Sequence, residues 1–162
     1  MYRSADRGAT WTPVDTELPE VSYYPGHFVS IMHVVVDPRN ADVVFALGED
    51  GKVYKTTNGG GQWKVLDQGI GSLAVQSLTL DQAHRYTLYG VVASRIYTLP
   101  DGSDTWQLAQ QILPIRQDQS GPSGASIAID PAEINHIVAS NGDGLYITLE
   151  LREMVALPMI VR

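Results

Sequence analysis

The sequence predicts an all-β chain assembled from repeated antiparallel units. Three observations carry that prediction. First, three ten-residue segments align without a gap: 37–46, opening Asp37-Pro38-Arg39-Asn40; 81–90, opening Asp81-Gln82-Ala83-His84; and 130–139, opening Asp130-Pro131-Ala132-Glu133. Their leading aspartates lie 44 and 49 positions apart, a spacing that marks a repeat architecture. Second, alternating apolar residues precede each segment: Val34 and Val36, Leu78 and Leu80, Ile127 and Ile129. A period of two is the signature of a strand. Third, the stretch Ser4-Ala5-Asp6-Arg7-Gly8-Ala9-Thr10-Trp11 reads S-x-D-x-G-x-T-W and returns in weaker form around Trp63 and Trp106.

Each repeat justifies its strands in turn. The Asp-Pro corner ends a first strand, because proline brings no amide donor and aspartate caps turns locally. A second strand follows at 43–47, 87–92 and 136–140. Gly48-Glu49-Asp50-Gly51, Ala93-Ser94 and Asn141-Gly142-Asp143-Gly144 then supply turns, Asp-Gly being a strong signal for a tight one. A third strand carries a hydrophobic-Tyr pair, Val53-Tyr54, Ile96-Tyr97 or Leu145-Tyr146, and Tyr2 matches that place near the N-terminus.

The third strand leads into the tryptophan motif. Its second copy, Thr56-Thr57-Asn58-Gly59-Gly60-Gly61-Gln62-Trp63, is a near match. The third, 99–106, keeps Asp101, Thr105 and Trp106 but loses the first hydroxyl and the glycine. No copy follows Tyr146, where Leu149-Glu150-Leu151-Arg152-Glu153 stands instead, and Met154 to Val161 reads as a final strand. The chemistry of the motif suits a hairpin. A short Asp or Asn side chain accepts amides within its own turn, Gly admits backbone conformations that other residues resist, and Trp folds back as an apolar plug of roughly 150–250 Å².

These residues resemble the Asp-box, or BNR repeat, of sialidases, xyloglucan-cleaving glycoside hydrolases, sortilin-type receptors and photosystem II assembly factors. Ser4, Asp6, Gly8, Thr10 and Trp11 match every defining position, and Thr56, Asn58, Gly60, Trp63, Asp101, Thr105 and Trp106 carry the later copies. The surrounding pattern covers nearly the whole chain. The resemblance implies a β-propeller with four-stranded antiparallel blades and the box on the outer 3–4 hairpin. First and second strands occur three times and third strands four times, which gives about three and a half blades. The expected divisions are a half blade at 1–20 and blades at 21–66, 67–109 and 110–162. Closed propellers have about 4–8 blades. The expectation is therefore a homodimer closing a six-bladed ring, or a piece of a longer propeller.

Composition narrows the function classes. The chain has 162 residues, 44% hydrophobic and 18% charged, which is globular rather than disordered. Eighteen acidic against eleven basic residues leave a net charge of −7, which argues against nucleic acid and anionic membrane as partners. There are no cysteines, so thiolate chemistry and disulfides are excluded. The longest apolar run is far shorter than the about 20 residues a membrane helix needs. Met1-Tyr2-Arg3-Ser4 has no apolar signal-peptide core.

Catalytic candidates are few. In the resembling propellers the ligand lies at the central channel, on the face made by the 2–3 and 4–1 connections. Those connections place Tyr23, Tyr24, His27 and Arg116 as ligand-binding candidates, with the two tyrosines as a platform for a sugar ring. Glu49, Asp50 and Asp143 are the candidate carboxylates, since two-carboxylate hydrolysis needs a pair about 5–10 Å apart. A sialidase would use three arginines, a Tyr–Glu nucleophile pair and an Asp. Of the eight arginines here only Arg116 falls in a channel connection. His27, His33, His84 and His136 form no metal-ligand spacing, and no cofactor motif is present. The reading is a non-catalytic Asp-box module for binding or assembly, with itself and a glycan as expected partners. The alternative is a glycoside hydrolase, sialidase-like or xyloglucanase-like, or a fragment of one.

Overall fold

The computed structural model describes residues 1–14, 18–19, 28–83, 86–93, 95–110, 125–130, 132, 137–141, 144–150 and 153–156. They form strands and turns, with no helix among them. The chain divides into two compact units, Met1–Leu66 and Asp67–Arg162.

The first unit holds a two-stranded ribbon and one full sheet. The ribbon pairs β1 (Tyr2–Arg3) with β2 (Thr12–Pro13), Tyr2 opposite Pro13 and Arg3 opposite Thr12. The sheet runs in sequence order through β3 (Ile31–Val36), β4 (Val44–Gly48), β5 (Val53–Thr56) and β6 (Lys64–Val65), every pair antiparallel. The second unit holds two more four-stranded antiparallel sheets. One comprises β7 (Val75–Leu80), β8 (Leu88–Val92), β9 (Arg95–Leu99) and β10 (Gln107–Gln110). The other comprises β11 (Ser126–Ile129), β12 (Ile137–Asn141), β13 (Gly144–Glu150) and β14 (Glu153–Ala156).

The sheets are built on one plan, down to their registers. Val34 lies opposite Ala46 and Val36 opposite Val44. Leu78 lies opposite Gly90 and Leu80 opposite Leu88, and Ile127 opposite Ala139 and Ile129 opposite Ile137. The first strands β3 and β7 carry a bulge at the same place, one residue after Ile31 and one after Val75. The aspartate corners are also alike. Asp37, Asp81 and Asp130 each accept the amide of the residue two further on, Arg39, Ala83 and Ala132, at 2.8–3.1 Å. At Asp37 the Arg39 guanidinium adds a forked pair of bonds, 3.0 and 2.7 Å long. That side-chain bond, foremost, holds the Asp37 carboxyl below its usual range.

Each unit has its own core. In the first, Leu18, Val29, Ala46 and Tyr54 pack with Ile31, Trp63 and Val65. In the second, Tyr89, Val91 and Ile96 on the β7–β10 sheet meet Ile127, Ile137 and Ala139 on the β11–β14 sheet, with Ala125 just ahead of it. The last cluster shows how two sheets of this plan stack. The aromatic-aliphatic face of second and third strands covers the branched face of the next sheet's first and second strands.

The tryptophans correct the expectation of a buried plug in every copy. Trp106 is 2% exposed, and Trp63 is half-buried. Trp11, in the best-matching copy, is 61% exposed. The reason is local. Trp106 lies over β8, so close that a methyl at Gly90 would stand 3.2 Å from its ring. Trp63 likewise packs over Ala46 and Tyr54 of its own sheet. Among the described residues the ribbon bearing Trp11 has two strands, and none lies under the indole as β8 lies under Trp106. Trp106→Ala should therefore cost about 3–5 kcal/mol, whereas Trp11→Ala should stay within about 0.5 kcal/mol. Urea unfolding monitored by circular dichroism measures both.

Candidate functional site

Two turns hold the motif residues, and both are closed the same way. In the first, the Ser4 hydroxyl donates to Asp6 Oδ1 at 2.8 Å and accepts the amides of Asp6 and Gly8 at 3.3 and 2.6 Å. Asp6 Oδ1 also accepts the Thr10 amide at 2.8 Å, and Oδ2 accepts the Thr10 hydroxyl at 2.6 Å. In the second, the Thr56 hydroxyl donates to Asn58 Oδ1 at 2.9 Å and accepts the amides of Asn58 and Gly60 at 3.3 and 3.0 Å. Asn58 Oδ1 accepts the Gln62 amide at 2.9 Å. A hydroxyl at the first position and a short acceptor at the third thus satisfy turn amides that no strand would pair.

The third turn is made differently. The Ser103 amide donates to the Pro100 carbonyl at 2.9 Å, and the Ser103 hydroxyl accepts the Thr105 amide at 3.0 Å. The loss of the first hydroxyl at Leu99 shifts the role of acceptor to a serine inside the turn.

The ribbon is fastened to its neighbouring sheet by polar bonds and one close fit. Trp63 Nε1 donates to the Val14 carbonyl at 2.8 Å. Arg3 bridges to Asp42 at 2.7 Å and donates to the Gly59 carbonyl at 3.4 Å. Gly60 has φ +100°, and a methyl there would come within 2.5 Å of Val14 Cβ. Glycine is required at that position twice over, for its backbone angle and for the approach of Val14. The ribbon-to-sheet bonds of Arg3 and Val14 join residues 49 or 56 apart in sequence. No local motif announces such pairs.

The Gly48–Gly51 turn decides the chemistry of the described carboxylates. Asp50 Oδ1 accepts the Lys52 amide at 3.1 Å, Oδ2 accepts the Tyr54 hydroxyl at 2.7 Å, and Lys52 Nζ stands 3.7 Å from Oδ2. Burial, reinforced by the Asp50 bond and charge, pushes the Tyr54 phenol well above its ordinary range. Asp50 therefore braces a buried tyrosine from within its own turn. Glu49 is exposed; its carboxylate accepts the Ser30 amide at 3.4 Å, and its own amide donates to the Ser30 carbonyl at 2.9 Å. Tyr23, Tyr24, His27, Arg116 and Asp143 lie outside the described residues. The described residues accordingly bring Glu49 and Asp50 together at one turn. They hold no cluster of three or more His, Asp or Glu residues suited to a metal ion.

Hydrogen bonds from the Thr10 hydroxyl and amide, then from Ser4, hold the Asp6 carboxyl down at about 2. A depressed carboxyl stabilises the fold when ionised. Its contribution is complete above the ordinary carboxylate range and is lost as pH falls through about 2. The Thr10 amide shift, followed by NMR from about pH 5 to about pH 1.5, should move with a midpoint near 2. In Asp6→Asn, which copies the residue of the second turn, that transition should vanish while the turn persists. Asp50→Ala should cost about 1–3 kcal/mol by leaving a buried phenol without its acceptor, measured by thermal unfolding.

No protein-family model matches the chain, and no curated protein matches it. Solved structures do. An enzyme of the GH74 class from Niastella koreensis superposes with a TM-score of 0.65 at 19% identity, over 96% of this chain and 26% of that one. The GH74 xyloglucanase of Xanthomonas campestris gives 0.64 at 17%, over 98% and 27%. YCF48 from Cyanidioschyzon merolae gives 0.53 at 18%, over 96% and 52%. The chain thus spans about a quarter of the GH74 enzymes it matches and about half of YCF48. At such identities the likeness is one of fold. Together with the three four-stranded antiparallel sheets, it gives a β-propeller fold.

Proposed function

We propose that the chain is a run of Asp-box propeller blades serving as a non-catalytic module for binding or assembly, with a glycan as its ligand class. The observation that carries the reading is the shared closure of the Ser4–Trp11 and Thr56–Trp63 turns, in which the Ser4 and Thr56 hydroxyls and the Asp6 and Asn58 side chains accept amides of their own turns. The state of Asp50 supports it further. A carboxylate bonded to a buried tyrosine hydroxyl and a turn amide has a structural role as a brace.

The likeness to GH74 enzymes favours a second reading, a glycoside hydrolase segment. Since the chain spans about a quarter of those enzymes, its own carboxylates would then be one part of a larger site. A panel of fluorogenic glycosides and xyloglucan separates the two. The expected result is no turnover, with retention on a glucan matrix that is lost in Tyr23→Ala. Hydrolysis that disappears in Glu49→Gln or Asp143→Asn would overturn the non-catalytic reading.

A further inference from the structure

Positions 58 and 59 are fixed by two separate demands. The clasp needs a short acceptor at 58, where Asn58 Oδ1 takes the Thr56 hydroxyl and the Gln62 amide. Position 59 needs glycine, because its φ is +71° and a methyl there would collide with the Arg3 guanidinium. Together the demands write Asn-Gly, a pair in which no side chain shields the second backbone nitrogen from the amide carbon of the first. The first copy carries Asp6-Arg7 at the same place, which has neither the amide leaving group nor the bare glycine.

The fold restrains this pair at one atom. Gly59 is buried, and its N–H donates to the Asp42 carbonyl at 2.9 Å. Arg3 grips both residues of that bond: Nη2 stands 2.7 Å from Asp42 Oδ1, and Nη1 donates to the Gly59 carbonyl at 3.4 Å. The Asp42 amide is held in turn by Asn40 Oδ1 at 3.0 Å. Asn58 itself is exposed, so water reaches its side chain. The two donors on Asn58 Oδ1 stand where the oxygen of an attacked amide becomes negative, an arrangement that favours attack.

We infer that Asn58-Gly59 is a self-modification site whose nucleophile, the Gly59 nitrogen, is held shut by Asp42 and Arg3. When the Gly59–Asp42 bond opens, hydroxide takes the Gly59 amide proton and the nitrogen attacks Asn58 Cγ. The Cγ–Nδ2 bond breaks, and ammonia leaves with a proton from water. A second water opens the resulting succinimide at either carbonyl, leaving aspartate or isoaspartate at 58. Isoaspartate adds a carbon to the backbone between Thr56 and Gly60. The Thr56 hydroxyl then loses its fit to the amides of 58 and 60, and Val14 loses its close seat against Gly60. A transient loosening of the ribbon's anchor thereby becomes a permanent one. The inference does not rest on the glycan reading.

The test ages the full chain at mildly alkaline pH and follows, by mass spectrometry, the tryptic peptide of residues 56–64. Asn58 should deamidate at least about tenfold more slowly in the native chain than in the same chain in urea. Arg3→Gln should raise the native rate about two- to fivefold, and Arg3→Lys, which keeps a charge beside Asp42, should fall between. Should Arg3→Gln lose its strand signal in circular dichroism, about 1 M salt on the unaltered chain replaces it by screening the exposed Arg3–Asp42 pair. The free 56–64 peptide then corrects for the direct effect of salt on the reaction. Hydrogen exchange of the Gly59 amide, read by NMR, should quicken by the same factor as deamidation while the β4 amides stay protected. A native rate equal to that in urea overturns the proposal. So does a rate indifferent to both Arg3→Gln and salt, or one that follows exchange of the β4 amides instead of Gly59.

Discussion

The β3–β6 and β7–β10 sheets are apolar on both faces, and that is the constraint on which the rest depends. All five residues of β8 are buried, as are Phe45, Ala46, Leu47 and Gly48 of β4. A sheet that is polar on one side can end a stack, but one that is apolar on both sides needs a neighbour on each. Alternation along a strand gives the two faces different chemistry. One carries Phe45 and Leu47, or Tyr89 and Val91, and the other carries Val34 with Ala46, or Ile127 with Ala139. Large residues on one sheet then meet small and branched residues on the next, as the Tyr89–Ile127 cluster does. The stack has a direction because its two faces are unlike.

Against that requirement the polar residues act as fasteners. Aspartates at 37, 81 and 130 turn the chain between first and second strands, and a hydroxyl paired with Asp6 or Asn58 turns it between third and fourth. Asp50 does the same between second and third, and anchors Tyr54 as well. Asp6, Asp37, Asp50, Asp81 and Asp130 are thus each bonded by an amide of their own turn.

Much of the plan was legible in the sequence because it is written in local signals. The period-two alternation before Asp37, Asp81 and Asp130 marks β3, β7 and β11, and the hydrophobic-Tyr pairs mark β5, β9, β13 and β1. What stayed illegible depends on contacts distant in sequence. Ser4–Trp11 is the best copy of its motif, yet its tryptophan is the exposed one, since burial is decided by a strand the motif does not encode. Arg3 reads as a charge within a turn, and it proves to be the link to Asp42 and Gly59.

The clasp has one further property. It engages its turn through the first, third, fifth and seventh positions, while the side chains of the second, fourth and sixth take no part in the closure. Those intervening places hold Ala5, Arg7 and Ala9 in one copy and Thr57, Gly59 and Gly61 in the other. At the fourth, both Arg7 and Gly59 adopt a left-handed backbone, so even a long cationic side chain is carried there. Anchoring and display are therefore separable in a stretch of eight residues. The Ser4–Trp11 turn can change its charge or shape by drift at these positions while the hairpin beneath stays shut, whereas a side chain at Gly59 would collide with the Arg3 guanidinium. This makes the turns natural places for new surface specificities to arise, or for foreign side chains to be grafted.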